Sequence, residues 1–238
     1  MRKISALLIF AILFTLSINA QKRFFKQFEI GAEGGPTLDY LTVRDPAGNL
    51  EAKYGLVNGT GGPKIRGYLD RHFFVEAAFL WKGNSFGLRF KQVYRSWSTN
   101  ASRSFMIPVR VGYGFNFSKK ISLNVTAGIV PSFIIFHGGA NGFGTTYPAI
   151  SYSYQMRDEY KKTYVTIQPG ISFSHLIKKR IKFSYGVNYY HGLSDVELYD
   201  VSYSINNGPV QNAIIANRGS FINYNLGLSY VFLLKRKK

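Results

Sequence analysis

Cysteine is absent from all 238 residues. Its absence excludes disulfide staples, thiolate metal sites, a cysteine nucleophile and a lipidated N-terminal cysteine. Histidine is scarce, with four residues and no clustered His/Asp/Glu pattern, so no metal or other cofactor is expected. Acidic residues are few: 12 Asp and Glu stand against 30 Lys and Arg, a formal net charge of +18 at pH 7. Long apolar runs are missing too. Beyond the N-terminus none approaches the ~18–20 residues of a membrane helix. Yet 46% of the residues are hydrophobic and 16% aromatic. These residues are spread along alternating segments, and that pattern carries the reading of the fold.

The alternation is clearest over 103–136. Phe105, Ile107, Val109, Val111, Tyr113, Phe115 and Phe117 form one row, with Met106, Pro108, Arg110, Gly112, Gly114, Asn116 and Ser118 between them. After Lys119-Lys120 the pattern resumes with Ile121, Leu123, Val125, Ala127, Ile129, Pro131, Phe133 and Ile135. The row opposite reads Ser122, Asn124, Thr126, Gly128, Val130 and Ser132. Successive side chains of a strand point to opposite faces, so this is a hairpin with one apolar and one polar or small face. Each arm exceeds the ~5–6 residues typical of a soluble strand and reaches the ~9–11 tilted residues that cross a bilayer.

Residues 1–20 read as an export signal: Arg2 and Lys3 at the start, an apolar core over 6–16, and Ile18-Asn19-Ala20 as the cleavage site. Residues 21–238 then read as one barrel domain with a basic C-terminal tail. Loss of Arg2 and Lys3 lowers its formal charge only from +18 to +16. Alternating segments at 25–41, 60–69, 73–90, 162–176, 181–193 and 222–232 join the two arms of the hairpin to make eight strands. Gly83-Asn84 interrupts the third and predicts a bulge. Connections alternate between long (42–59, 96–102, 137–160, 194–219) and short (Asp70-Arg71, Ser118-Lys119-Lys120, Lys178-Lys179-Arg180). The last long one has room for its own hairpin around Asn206-Asn207-Gly208-Pro209. An even strand count with this asymmetry predicts an all-β fold, an eight-stranded antiparallel transmembrane β-barrel with short periplasmic turns and long external loops, in the cell outer membrane.

The exported start, Ile107-Pro108-Val109, Ala127-Gly128 and Tyr190-His191-Gly192-Leu193 together resemble the PorT-like outer-membrane β-barrel domain family, related in architecture to OmpA and OmpX. The resemblance spans about the entire chain after the export signal. It implies a membrane barrel, and the founding member of the family is associated with protein secretion across the outer membrane. The chain departs from the usual terminal aromatic, continuing past Phe232 through Leu233-Leu234-Lys235-Arg236-Lys237-Lys238.

Three places hold candidate chemistry. With the apolar rows facing lipid, Glu29, Glu33, Lys64, Arg66, Glu76, Lys82, Arg110 and Lys182 point into the lumen. There they are expected to pair as an ion ladder, because an unpaired buried charge costs several kcal/mol. An eight-stranded barrel is just wide enough for its own side chains, so a filled lumen is expected and a narrow small-solute channel is the alternative. Second, His191, Ser194 and Asp195 lie together near the external end of the seventh strand. Some eight-stranded barrels, such as the lipid A deacylase PagL, resemble this in setting a His/Ser pair at the lipid-facing surface. The enzymatic alternative is therefore a lipid A-modifying hydrolase. Third, Lys119, Lys120, Lys178, Lys179 and Arg180 make a basic periplasmic rim, joined by Lys22, Arg23, Lys26 and the C-terminal tail. Anchoring to anionic headgroups and docking of an acidic periplasmic partner both follow from such a rim. The run Gly138-Gly139-Ala140-Asn141-Gly142 lacks the Lys-Ser/Thr of a phosphate-binding loop and reads as plain loop. The expected protein is a monomeric, non-enzymatic structural or accessory barrel. Its expected partners are outer-membrane lipids, lipopolysaccharide and a periplasmic or outer-membrane protein. Nucleic acid, the usual partner of a basic chain, is not expected of an exported chain with bilayer-facing strands.

Overall fold

A strand that is apolar on one face and polar on the other needs a different solvent on each side, and closing such strands into a ring supplies both. A computed structural model describes residues 25–53, 57–91, 96–136, 141–146, 149–157 and 161–233. The segment read as an export signal, the expected cleavage site and the tail beyond Leu233 lie outside the described residues. Among those described, fourteen strands form one sheet: β1 (Gln27–Arg44), β2 (Leu50–Lys53), β3 (Val57–Tyr68), β4 (Phe73–Ala78), β5 (Leu80–Phe90), β6 (Ser96–Met106), β7 (Val109–Asn116), β8 (Ile121–Phe136), β9 (Asn141–Thr146), β10 (Ala149–Met156), β11 (Thr163–Lys178), β12 (Ile181–Gly192), β13 (Glu197–Ile205) and β14 (Gln211–Leu233).

Eight staves emerge from these strands. β4 continues into β5 across Phe79, and β6 into β7 across Ile107-Pro108. Proline has no N–H to give a ladder. The pairing nevertheless carries on around the break, since Ala78 N donates to Pro108 O at 3.0 Å and Ile107 N to Pro131 O at 2.9 Å. The antiparallel ring runs β1, β3, β4/β5, β6/β7, β8, β11, β12, β14. β14 then pairs with β1, from Gln27 opposite Leu233 to Arg44 opposite Ile214, and closes it. A closed ring has no edge, so its backbone groups are satisfied within a bilayer.

The outer surface at this level is apolar. Val109, Val111 and Phe115 on β7, Val125 and Ile129 on β8, and Leu226 and Leu228 on β14 are all exposed. In water so large an apolar belt would drive association, whereas lipid is its natural solvent. The short turns at one end are those read from the sequence, and β5 carries a register shift between Asn84 and Phe86.

The other end differs from the loops expected. β1 has 18 residues and β14 has 23, about twice the ~9–11 that a bilayer crossing needs. The excess projects beyond the belt, and much of 42–59, 137–160 and 194–219 joins it as β2, β9, β10 and β13. Asn141 and Gly142 of the glycine run belong to β9, while 138–140 lie outside the described residues. β13 and β14 form a hairpin with Asn206 (φ 52) and Asn207 (φ 56) at its tip, where a two-residue turn requires left-handed backbone. Leu41, Leu50, Leu88, Phe90, Ile150, Tyr154, Tyr199, Val201, Tyr203, Ala213 and Ile215 bury one another there as a hydrophobic core. Asp45 locks the β1–β2 connection to it. Its carboxylate accepts the Asn49 and Leu50 N–H groups at 2.7 and 2.8 Å and the Tyr203 hydroxyl at 2.9 Å. The turn-rich composition of these segments suggests loops, but the Tyr/Ser alternation of β10 and β13 makes amphipathic strands.

Candidate functional site

Cross-strand register assembles the lower lumen. Arg66 lies directly opposite Glu76 in the β3–β4 pair, and Glu76 directly opposite Arg110 in the β4–β7 pair. One Glu76 oxygen accepts Arg66 Nε at 2.8 Å and meets Nη2 at 2.7 Å, and the other accepts Arg110 Nη1 at 2.6 Å. Arg110 Nη2 also meets Glu33 at 2.6 Å, and its Nε donates to Gln168 Oε1 at 2.8 Å. Lys64 lies 3.4 Å from Glu33 and 3.9 Å from Glu76. Nearer the short-turn end, Glu29 pairs with Lys182 and, at 3.9 Å, with Arg66. Lys182 in turn donates to the Tyr68 hydroxyl at 2.9 Å.

Glu29, Glu33, Lys64, Arg66, Glu76 and Arg110 thus form one buried network in which every carboxylate has at least two cationic partners. That arrangement is what lets charge persist away from water. Small residues make the room. A Cβ on Gly227 would stand 3.0 Å from Lys64 Nζ, and one on Gly112 would stand 2.2 Å from the Phe74 ring, which itself underlies Arg66 at 4.1 Å.

The space left beside this network is about 10 Å³, near the ~10–15 Å³ minimum for one water. Above it Ala78, Leu80, Met106, Val130, Tyr190 and Phe221 form an apolar plug, with Tyr190 and Phe221 stacked at 4.0 Å. Lys82 caps the plug, its ammonium 4.5 Å from the Phe221 ring and 2.6 Å from Asp39. The plug and the Lys82–Asp39 pair went unnoticed in the sequence. Parity could have found them, because Tyr190 and Phe221 fall between the lipid-facing rows of β12 and β14.

At the short-turn end the lumen opens into a mouth of about 680 Å³ lined by Lys26, Arg71, Lys119, Lys120, Lys179 and Lys182, with Asp70 as its acid. Among the described residues of the rim, Lys178 and Arg180 do not line it. Arg180 turns outward, donating to the Tyr230 hydroxyl at 2.8 Å, a bond that raises its pKa, and Lys178 is exposed.

The structure does not bring His191, Ser194 and Asp195 together as a triad. His191 is exposed on the outer face of β12, and its Nδ1 lies 3.4 Å from the Tyr189 hydroxyl. Asp195 accepts from Arg218 Nε at 2.9 Å and lies 3.8 Å from Arg44. Among the described residues no group of three or more His, Asp and Glu is placed to hold a metal.

No curated protein matches the chain by sequence. In structure it is similar to the outer membrane protein OprG of Pseudomonas aeruginosa, with a TM-score of 0.54 and 9% identity over 88% of this chain and 97% of that one. The N-terminal β-barrel domain of OprF from Pseudomonas aeruginosa gives 0.45 and 11% over 87% and 98%. Neisserial surface protein A gives 0.42 and 12% over 86% and 97%. The first of these shares the fold. The family of outer membrane protein beta-barrel domains matches residues 19–197, most of the chain. The chain belongs to that family, and the outer membrane is its place.

Proposed function

We propose that this barrel serves the outer membrane as a non-enzymatic structural or accessory protein of the PorT-like kind, without a through-going channel. The observation that carries the reading is the filled lumen. A charge network with about 10 Å³ to spare lies under an apolar plug, so hydrated ions have no continuous path. Above it, strands twice the length a bilayer needs present a packed external sheet, which suits display or docking better than transport. His191 bonded to Tyr189, and Asp195 engaged by Arg218, supply no activated hydroxyl for the hydrolytic alternative.

Reconstitution into planar bilayers tests this reading. The purified protein is expected to leave the membrane electrically silent. Steady unitary conductance would replace the proposal with a small-solute channel. Altered lipid A species in cells expressing the protein, abolished by His191→Ala, would replace it with a hydrolase.

A further inference from the structure

The basic residues at the periplasmic end fall into two populations. Arg180 faces outward to Tyr230 at the lipid boundary. Lys26, Arg71, Lys119, Lys120 and Lys179 instead line the concave mouth, with Lys182 at its floor. The volume of about 680 Å³ lies within the ~300–1,000 Å³ typical of ligand pockets. One acid lines it, and that acid is already engaged: Asp70 accepts the His72 and Phe73 N–H groups at 2.6 and 2.7 Å. Lys182 is likewise committed, to Glu29 and Tyr68. Among the described residues, the other five cations form no ion pair.

Five like charges around one concavity repel each other and focus a positive potential into it. Arg180, bonded to Tyr230 on the outer surface, is the basic residue placed toward lipid headgroups, whereas these five line the inside of the mouth. The chain beyond the described rim carries Lys22 and Arg23 on one side and Lys235, Arg236, Lys237 and Lys238 on the other. Those are the wrong sign. A single small anion would occupy little of the space and meet few of the cations.

We propose that the periplasmic mouth of the barrel is a binding site for an acidic peptide segment of a periplasmic protein, whose carboxylates enter the ring of Lys26, Arg71, Lys119, Lys120 and Lys179. This goes beyond the non-enzymatic reading and does not depend on it, since a channel or a hydrolase would carry the same mouth.

The test uses the full chain in nanodiscs of zwitterionic lipid, which leave both barrel ends open. A fluorescent oligoglutamate peptide is titrated by anisotropy, with oligoglutamine as the control. Binding is expected to weaken as salt shortens the Debye length below ~10 Å. The mouth variant Lys119→Gln/Lys120→Gln/Lys179→Gln is expected to weaken it roughly tenfold. The outer variant Lys178→Gln/Arg180→Gln should change it by less than about twofold. Retained heat-modifiable migration shows that each variant folds, and Lys119→Gln alone, in an exposed turn, gives the same direction should the triple variant not fold. Equal loss in both variants, or equal affinity for oligoglutamine, overturns the proposal. So does competition by anionic-lipid nanodiscs or by inorganic phosphate at matched charge, which would make the mouth a headgroup or general anion site.

Discussion

Glu76 is the centre of the lumen network, and its replacement by Gln is the most informative perturbation of it. The lower lumen holds the cations Lys64, Arg66, Arg110 and Lys182 against the acids Glu29, Glu33 and Glu76, one positive charge in excess. At the 2.6–2.7 Å separations of Glu76 from Arg110 and Arg66, the gross attraction is about 6 kcal/mol per contact at an effective dielectric of ~20. Several kcal/mol of desolvation per ion offsets most of it. Removing one partner leaves that desolvation uncompensated. Glu76→Gln, which raises the excess to two, should therefore cost about 3–5 kcal/mol, a large part of the ~5–15 kcal/mol that holds a typical domain folded. Arg110→Gln takes a cation from both Glu33 and Glu76, leaving Glu33 with Lys64 alone, and should cost a similar amount. The double variant restores the original excess, so its cost should fall short of the summed singles by about 1–3 kcal/mol. Urea unfolding of the protein refolded into lipid vesicles, followed by tryptophan fluorescence, measures all four corners of the cycle. Additivity within ~0.5 kcal/mol, or single costs below about 1 kcal/mol, would refute the reasoning, because the charges would then be hydrated rather than mutually compensated.

Three further outcomes separate the layers of the molecule. Arg110→Ala alone should leave planar bilayers silent because the plug still closes the barrel, whereas combining it with Tyr190→Ala and Phe221→Ala should produce conductance; silence in the combined variant would place the seal elsewhere. Leu226→Arg, on the exposed lipid face of β14, should destabilise by about 2–4 kcal/mol, and Thr42→Arg, on the exposed face of β1 in the external sheet, by about 0–1 kcal/mol; equal costs in the same urea assay would contradict the assigned membrane level. In the external core, burial and the nearby Glu197 raise the Tyr199 pKa above that of an ordinary phenol. The fold therefore favours neutral Tyr199, and this contribution is complete below the unfolded value of ~10 and lost as pH rises through the folded value. Amide exchange of β13 should accelerate in that alkaline range, and less so in Tyr199→Phe; an identical alkaline response in both would exclude Tyr199 as the cause.

The barrel was legible because its signal is local. Side-chain parity needs only a strand and its own residues, and it put Arg66, Glu76 and Arg110 on one side and Val109, Val111 and Leu226 on the other. Strand order then followed from the short turns. Pair geometry was not legible to the same degree. Nothing in the spacing of Arg110 and Gln168 reveals that one donates to the other at 2.8 Å, since that contact depends on ring curvature and on the depth at which each stave sits. The external sheet was missed for a different reason. Its segments carry Asp, Asn, Gly and Pro at their ends, and those residues mark turns whether or not strands lie between them.

A single rule connects the two layers. Parity never changes along β1, yet the identity of the apolar row does. Glu29, Glu33 and Thr37 face inward, with Ile30, Leu38 and Tyr40 on the outward side, whereas beyond them Leu41 and Val43 are the inward residues and Thr42 and Arg44 the outward ones. β14 shows the same inversion: Leu226 and Leu228 face outward near the short-turn end, while Ala213 and Ile215 face inward at the other. A soluble strand would keep its apolar row on one face, and so would a strand wholly within lipid. An exchange of rows without a change of phase means that the solvent outside the strand changes from hydrocarbon to water along its length, while the interior changes from polar to apolar in compensation. The level of that exchange, near Tyr40 and Leu41 on β1, is therefore where the membrane ends and the external sheet begins, and it was written in the sequence as an inversion rather than as a loop.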